Sequence, residues 1–129
     1  MKKYDNFKHA LYNLKNIFGY KEPYTIVELT GLAALYEICF EQSWKAMKEI
    51  LENHGYDMLA VGSPKKVLKT AFSCGMIKDE ELWLEALESR NNATHSYDEN
   101  LAYSIVEKIK TKYCKMFDEL DCELTENWL

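Results

Sequence analysis

Between Thr25 and Gly55 the chain places Leu29, Leu32, Tyr36, Cys39, Phe40, Ser43, Trp44, Met47 and Leu51 at spacings of three and four residues. Only an α-helix returns such positions to one face. The start is marked by Thr25-Ile26-Val27-Glu28, a capping box in which the Thr25 hydroxyl accepts from the Glu28 N–H while the Glu28 carboxylate reaches back. A helix running from there to Gly55 is roughly 43 Å long at 1.5 Å per residue. Its apolar stripe has to be covered by other helices or by a second chain.

Candidate companions are punctuated by their own signals. Tyr4, Phe7, Leu11, Leu14 and Phe18 form a first stripe that Gly19 ends. Ser63-Pro64, a cap followed by proline at the first helical position, opens a short helix that stops at Gly75. Asp79 caps a fourth, carrying Leu82, Trp83, Ala86 and Leu87. Ser96-Tyr97-Asp98-Glu99 reads as a second capping box, opening a last helix lined by Leu101, Ala102, Ile105, Ile109, Tyr113, Met116, Phe117 and Leu120. No run alternates with a period of two long enough to make a strand. The expectation is an all-α, up-and-down bundle of about five helices, two long and three shorter, with a core like that of a four-helix bundle. A single domain over 1–129 is expected, its core spanning about residues 4–120 and its tail, 121–129, packed more loosely. Gly31, inside the long helix, is expected to permit close packing.

The composition narrows the function. Five glycines and two prolines in 129 residues argue against a turn-rich β fold, and 47% apolar residues argue against disorder. No apolar run approaches ~18 residues, and Met1-Lys2-Lys3 leads into polar sequence, so the chain reads as cytoplasmic with no membrane partner. The four cysteines stand singly, with no CxxC pair, and read as ordinary buried thiols instead of a disulfide or zinc framework. His9 and His54 are isolated, and no HxxxH or HExxH spacing exists, so neither metal nor cofactor is assigned. A net charge of −5 speaks against a general nucleic-acid coat protein. The charge is uneven, however. Met58 to Lys78 carries Lys65, Lys66, Lys69 and Lys78 with no acid, while acid collects in Asp79-Glu80-Glu81 and from Asp118 to Glu126.

One segment looks chemical. Arginine occurs once, at position 90, against fifteen lysines; a planar, permanently charged fork at a single place points to a particular task. His95 follows five residues later, across Asn91, Asn92, Ala93 and Thr94. In one continuous helix two such side chains point about 140° apart. They converge only if the helix breaks between them or if a second chain supplies the complement. Asn91 and Asn92 suit a break, since Asn tolerates the left-handed conformation past helix ends. With Ser96 as cap, His95 would lie beside the positive end of the last helix, which attracts phosphate and keeps an imidazole neutral. The plainer account is a helix–loop–helix corner in which Asn, Thr and Ser serve as caps.

Arg90-Asn91-Asn92-Ala93-Thr94-His95-Ser96-Tyr97 resembles the R-x4-H-x-Y motif of HEPN domains, specifically the HepT-like, nucleotidyltransferase substrate-binding family. Phe40 to Lys48 resembles that family's long-helix signature, and Ser63-Pro64 with Ala71 to Asp79 its middle block. The resemblance spans roughly Phe7 to Leu120 and implies a homodimeric helical bundle paired with a minimal nucleotidyltransferase. It implies Arg90 and His95 as catalytic residues of a metal-independent ribonuclease, the toxin of a toxin–antitoxin pair, with Asn91, Thr94 and Ser96 as supporting residues. Tyr97 is implied as a cleft residue and the position where the partner attaches adenylyl groups. The alternative is a non-catalytic subunit that binds an RNA or nucleotide substrate for a separate nucleotidyltransferase.

Overall fold

The computed structural model describes residues 1–57 and 63–129. The described residues form helices and turns with no strand among them. Helix α1 (Lys2–Leu14) buries Tyr4, Phe7, Ala10, Leu11 and Leu14, then tightens into a 3₁₀ turn over Lys15–Gly19. That tightening moves the next inward position to three residues after Leu14 instead of four. Ile17 is therefore fully buried and Phe18 is 52% exposed, correcting the stripe expected from spacing alone.

Helix α2 (Ile26–Asn53) begins as its sequence says. Thr25 Oγ1 accepts from the Glu28 N–H at 3.1 Å, and the Thr25 N–H donates to Glu28 Oε1 at 2.8 Å. Its inward face carries every apolar position expected there except Trp44, which is half-buried. Gly31 is exposed, and a Cβ there would meet nothing within 4 Å, so it permits no close approach. The helix stops at Gly55, whose φ of 93° is open to glycine at little cost.

Helix α3 (Pro64–Ser73) is capped by the Ser63 hydroxyl, and α4 (Glu80–Asn92) by the Asp79 carboxylate, which accepts from the Leu82 N–H at 3.0 Å. Between them Gly75 turns the chain with φ of 82°, while Met76 and Ile77 anchor the turn in the core. Of the basic stretch, Met58 to Gly62 lies outside the described residues; from Ser63 onward its lysines sit on α3 and the following turn.

The last rod starts two residues later than expected. Asp98, not Ser96, is its cap, with Oδ1 accepting from the Asn100 and Leu101 N–H groups at 3.0 and 3.3 Å. Two cap signals overlap in Ser96-Tyr97-Asp98-Glu99, and the charged acceptor, which takes two N–H groups, wins. Helix α5 (Glu99–Lys108) runs through a π turn (Ile109–Tyr113) into α6 (Cys114–Glu123) and a second π turn (Leu124–Trp128), with right-handed helical dihedrals at each junction. The end of the chain is not loose. Leu124 is fully buried, and Trp128 packs edge-on against His54 at 4.8 Å while its carbonyl bonds His54 Nε2 at 2.8 Å.

Tyr36 occupies the centre. It stacks on Tyr113 at 5.2 Å, and its hydroxyl donates to the Ala86 carbonyl at 2.5 Å, tying α2 to the last rod and to α4. Tyr113 in turn donates to Glu85 at 2.9 Å and takes a bond from Ser89 at 2.8 Å. Burial pushes the Tyr36 phenol well above its ordinary range, so it stays a neutral donor. This buried polar ladder fixes how α4 crosses α2, and so fixes where Arg90 emerges.

Candidate functional site at the α4–α5 corner

Arg90 lies in the last turn of α4, half-buried against α2. Its Nη2 is ion-paired with Glu41 Oε2, and its Nη1 donates to Asn91 Oδ1 at 2.9 Å. Glu41 is a hub. The same Oε2 accepts from Trp44 Nε1 at 3.1 Å, and Lys45 Nζ stands 3.6 Å from Oε1. Burial pushes the Glu41 carboxyl up, but bonds from Trp44 and Arg90, with the charges of Arg90 and Lys45, outweigh it and hold the carboxyl below its usual range. Glu41 therefore stays ionised and keeps the guanidinium plane oriented.

After Asn92 the chain turns without reversing handedness. Residues Ala93–His95 form a 3₁₀ turn, Asn92 has φ −80°, and the positive-φ residues among those described are glycines. The expected left-handed break at Asn91–Asn92 is absent because tightening to a 3₁₀ turn already pairs the free carbonyls: Ser96 N–H donates to Ala93 O at 3.2 Å, and Asp98 N–H to His95 O at 3.0 Å. Thr94 donates to Asn91 O at 3.2 Å, steadying the corner, and Ser96 is half-buried within it.

His95 is exposed. Its Nδ1 is 3.3 Å from the Tyr97 hydroxyl, and the two rings meet edge-on at 5.8 Å. Tyr97 is 77% exposed. His95 precedes the α5 cap by three residues, and that cap is a carboxylate. Asp98 thus offsets the positive end of α5 that was expected beside His95. Among the described residues, no hydrogen bond or ion pair joins Arg90 to His95. The structure brings Arg90 to Glu41 and His95 to Tyr97.

Sequence reasoning missed Glu41, Trp44 and Lys45. Their spacing of three and four on α2 is legible as one helix face, but nothing in the sequence assigns that face to Arg90. A shallow cleft of about 220 Å³ opens there, lined by Glu37, Ile38, Glu41, Gln42 and Arg90. Ile38 is 53% exposed beside it, and the buried Gln42 Oε1 has no hydrogen-bond partner among the described residues. A larger cavity of about 500 Å³ lies against α6, but its rim carries Asp79, Asp118, Glu119, Glu123 and Glu126, a poor setting for an anion. Among the described residues no group of three His, Cys, Asp or Glu side chains gathers as metal ligands, and no helix is long and apolar enough to cross a membrane.

Fold and corner together define a class of small all-helical bundles carrying R-x4-H-x-Y at the corner that leads into the last long rod. Within that class, the chain belongs to the nucleotidyltransferase substrate binding protein-like family, which it matches over residues 2–126. A probable ribonuclease HepT of Haemophilus influenzae is 28% identical over 83 residues, 63% of this chain. The match spans 57% of that curated relative's length. A crystal structure from Thermus thermophilus is 28% identical, with a TM-score of 0.79 over 92% of this chain and 98% of its own. A second solved structure, from Haemophilus influenzae, is described as revealing the fold of a substrate binding domain of a nucleotidyltransferase. It is 21% identical, with a TM-score of 0.80 over 95% and 99% of the two chains, a likeness of fold.

Proposed function

We propose that this protein is a metal-independent ribonuclease, the toxin partner of a small nucleotidyltransferase, and that its active site forms between two copies of the chain. The observation that carries the reading is the division of the motif: the fork at Arg90 is fixed by Glu41, the imidazole at His95 stands exposed, and no hydrogen bond or ion pair joins the two among the described residues. In a symmetric dimer, Arg90 of one copy completes the site of His95 of the other. The exposed Ile38 and the Gln42 oxygen beside Arg90, without a hydrogen-bond partner among the described residues, supply apolar and polar surface for such a contact.

In this mechanism His95 takes the proton of a ribose 2′-hydroxyl as its oxygen attacks the adjacent phosphorus. The bond to the 5′-oxygen breaks, that oxygen takes a proton from solvent as it leaves, a 2′,3′-cyclic phosphate remains, and His95 later returns its proton to solvent. Arg90 steadies the charge on the non-bridging oxygens through its bidentate fork. Tyr97, exposed and within reach of His95, is the position at which the partner attaches AMP. Phosphate there would crowd the imidazole and repel an RNA backbone.

A second reading is favoured by the Glu41–Arg90 pair itself, since a guanidinium already neutralised by a carboxylate is a weaker anion site. On that reading the chain binds substrate for a separate nucleotidyltransferase and does no chemistry. Purified protein incubated with RNA separates the two. A ribonuclease cleaves in the presence of EDTA and loses about 10²-fold or more in rate on His95→Ala or Arg90→Lys. Absence of cleavage by the wild type favours the binding subunit, and cleavage surviving both substitutions removes this corner from the mechanism.

A further inference from the structure

Beyond the Glu41–Arg90 pair, the same face of α2 carries a second cleft, of about 280 Å³, lined by Lys3, Trp44, Lys45, Lys48, Glu49 and Glu52. Its position is fixed through Glu41, which bonds the Trp44 indole N–H on one side and Arg90 on the other. Tethered at that edge, the half-buried indole is held as one wall of the cleft. Lys45 is the next cation along, 3.6 Å from the other Glu41 oxygen. Lys48 follows one turn later, without an ion pair among the described residues, while Glu49 is occupied by the Lys3 backbone N–H at 3.2 Å. The lining thus holds three lysines against two glutamates, within a protein whose net charge is −5.

We infer that this cleft is a subsite for single-stranded RNA, taking a nucleotide next to the one whose phosphate meets Arg90; the inference rests on the ribonuclease reading above. An aromatic wall flanked by cations is what a nucleotide needs: a base stacks on the indole, and its phosphate meets the ammonium groups. From Glu41 to Lys48 is about 10 Å along the helix at 1.5 Å per residue, within reach of neighbouring nucleotides of one strand. The arrangement also answers the acidity of the molecule. RNA binding here relies on Lys3 and Lys48, neither ion-paired among the described residues, beside an aromatic wall, not on overall charge. Glu41 is its junction, a positioning residue that orients both the Trp44 ring and the Arg90 fork.

The test is the affinity of a fluorescently labelled single-stranded RNA for the full chain carrying His95→Ala, which blocks turnover. Trp44→Leu is expected to weaken binding about ten-fold. Lys48→Gln should lower the slope of log affinity against log salt by about one. Because Trp44 also packs against the core, Lys48→Gln is the variant that carries the test if Trp44→Leu folds poorly. A charge-matched control, Lys65→Gln with Lys66→Gln on α3, should leave affinity unchanged. If wild type cleaves RNA but Trp44→Leu and Lys48→Gln bind like their parent, or the α3 pair matters as much, the subsite is wrong and the ribonuclease reading stands. If wild type neither cleaves nor binds RNA, both fall.

Discussion

Arg90 and His95 are five residues apart in sequence and in opposite physical circumstances. Arg90 sits on a buried frame. Beneath it Tyr36, Tyr113, Ser89 and Glu85 pass hydrogen bonds between three helices, and beside it Glu41 holds its guanidinium. His95 sits on a 3₁₀ turn at the surface, with the Tyr97 hydroxyl as its neighbour. The contrast separates two requirements of phosphoryl chemistry. A bidentate fork works by orientation, which a packed scaffold supplies; a proton-transferring imidazole works by access to its substrate, which exposure supplies. On the proposed reading, placing the fork first and the base after a change of helix type gives one short segment both properties.

If the two halves differ in this way, substitutions should sort by how far they reach into the frame. The largest effect is expected from Trp83→Ala, in the first turn of α4, the helix that carries Arg90 at its other end. Trp83 is 3% exposed and packs edge-on against Phe117 at 5.7 Å, so truncation should cost about 3–5 kcal/mol in a urea titration. Glu41→Gln should cost less, about 1–2 kcal/mol, because the pair it breaks is partly exposed. Its pH signature is specific. The Glu41 carboxyl titrates lower in the fold than in an unfolded chain, so its contribution is present at neutral pH and drains away as pH falls through its depressed range. The variant should show a shallower loss of stability in acid than the wild type; an unchanged acid limb would detach Glu41 from the frame. The smallest effect is expected from Tyr97→Phe, within about 0.5 kcal/mol for so exposed a ring. Its consequence lies elsewhere. Incubated with an active partner nucleotidyltransferase and ATP, wild type should gain the mass of AMP and Tyr97→Phe should not; a gain in both would place neutralisation at another residue.

Much of the frame was legible in the sequence and little of the site's geometry. The Thr25 box, the Ser63-Pro64 start, the Asp79 cap and the inward face of α2 follow from local rules that need no tertiary knowledge. The errors fall where a local signal had a competitor. Ser96 and Asp98 both offered oxygens to the same helix start, and 3₁₀ tightening exchanged Phe18 for Ile17. The π turn at Ile109–Tyr113 has a trace in the sequence. Leu101, Ile105, Ile109, Tyr113 and Phe117 are spaced by four throughout, a drift of about 160° on an ideal helix. A wider turn in mid-rod returns them toward one face, so buried Tyr113 and Phe117 meet the same core as Ile105. Glu41 could not have been found. Forty-nine residues separate it from Arg90, and the crossing of α2 and α4 that joins them is set by a buried tyrosine ladder that no spacing reveals.

The claim that the divided motif is one active site completed by a second copy is tested most directly by mixing two inactive chains. Arg90→Lys and His95→Ala chains, each without measurable RNA cleavage alone, are co-expressed or co-refolded so that protomers exchange. In a heterodimer, Arg90 from the His95→Ala chain meets His95 from the Arg90→Lys chain, and one of two sites is whole. With random pairing in a two-fold dimer, activity should return to about one quarter of wild type. Activity that stays at the sum of the two parents, or a wild type that remains monomeric at micromolar concentration while cleaving RNA, would contradict the account.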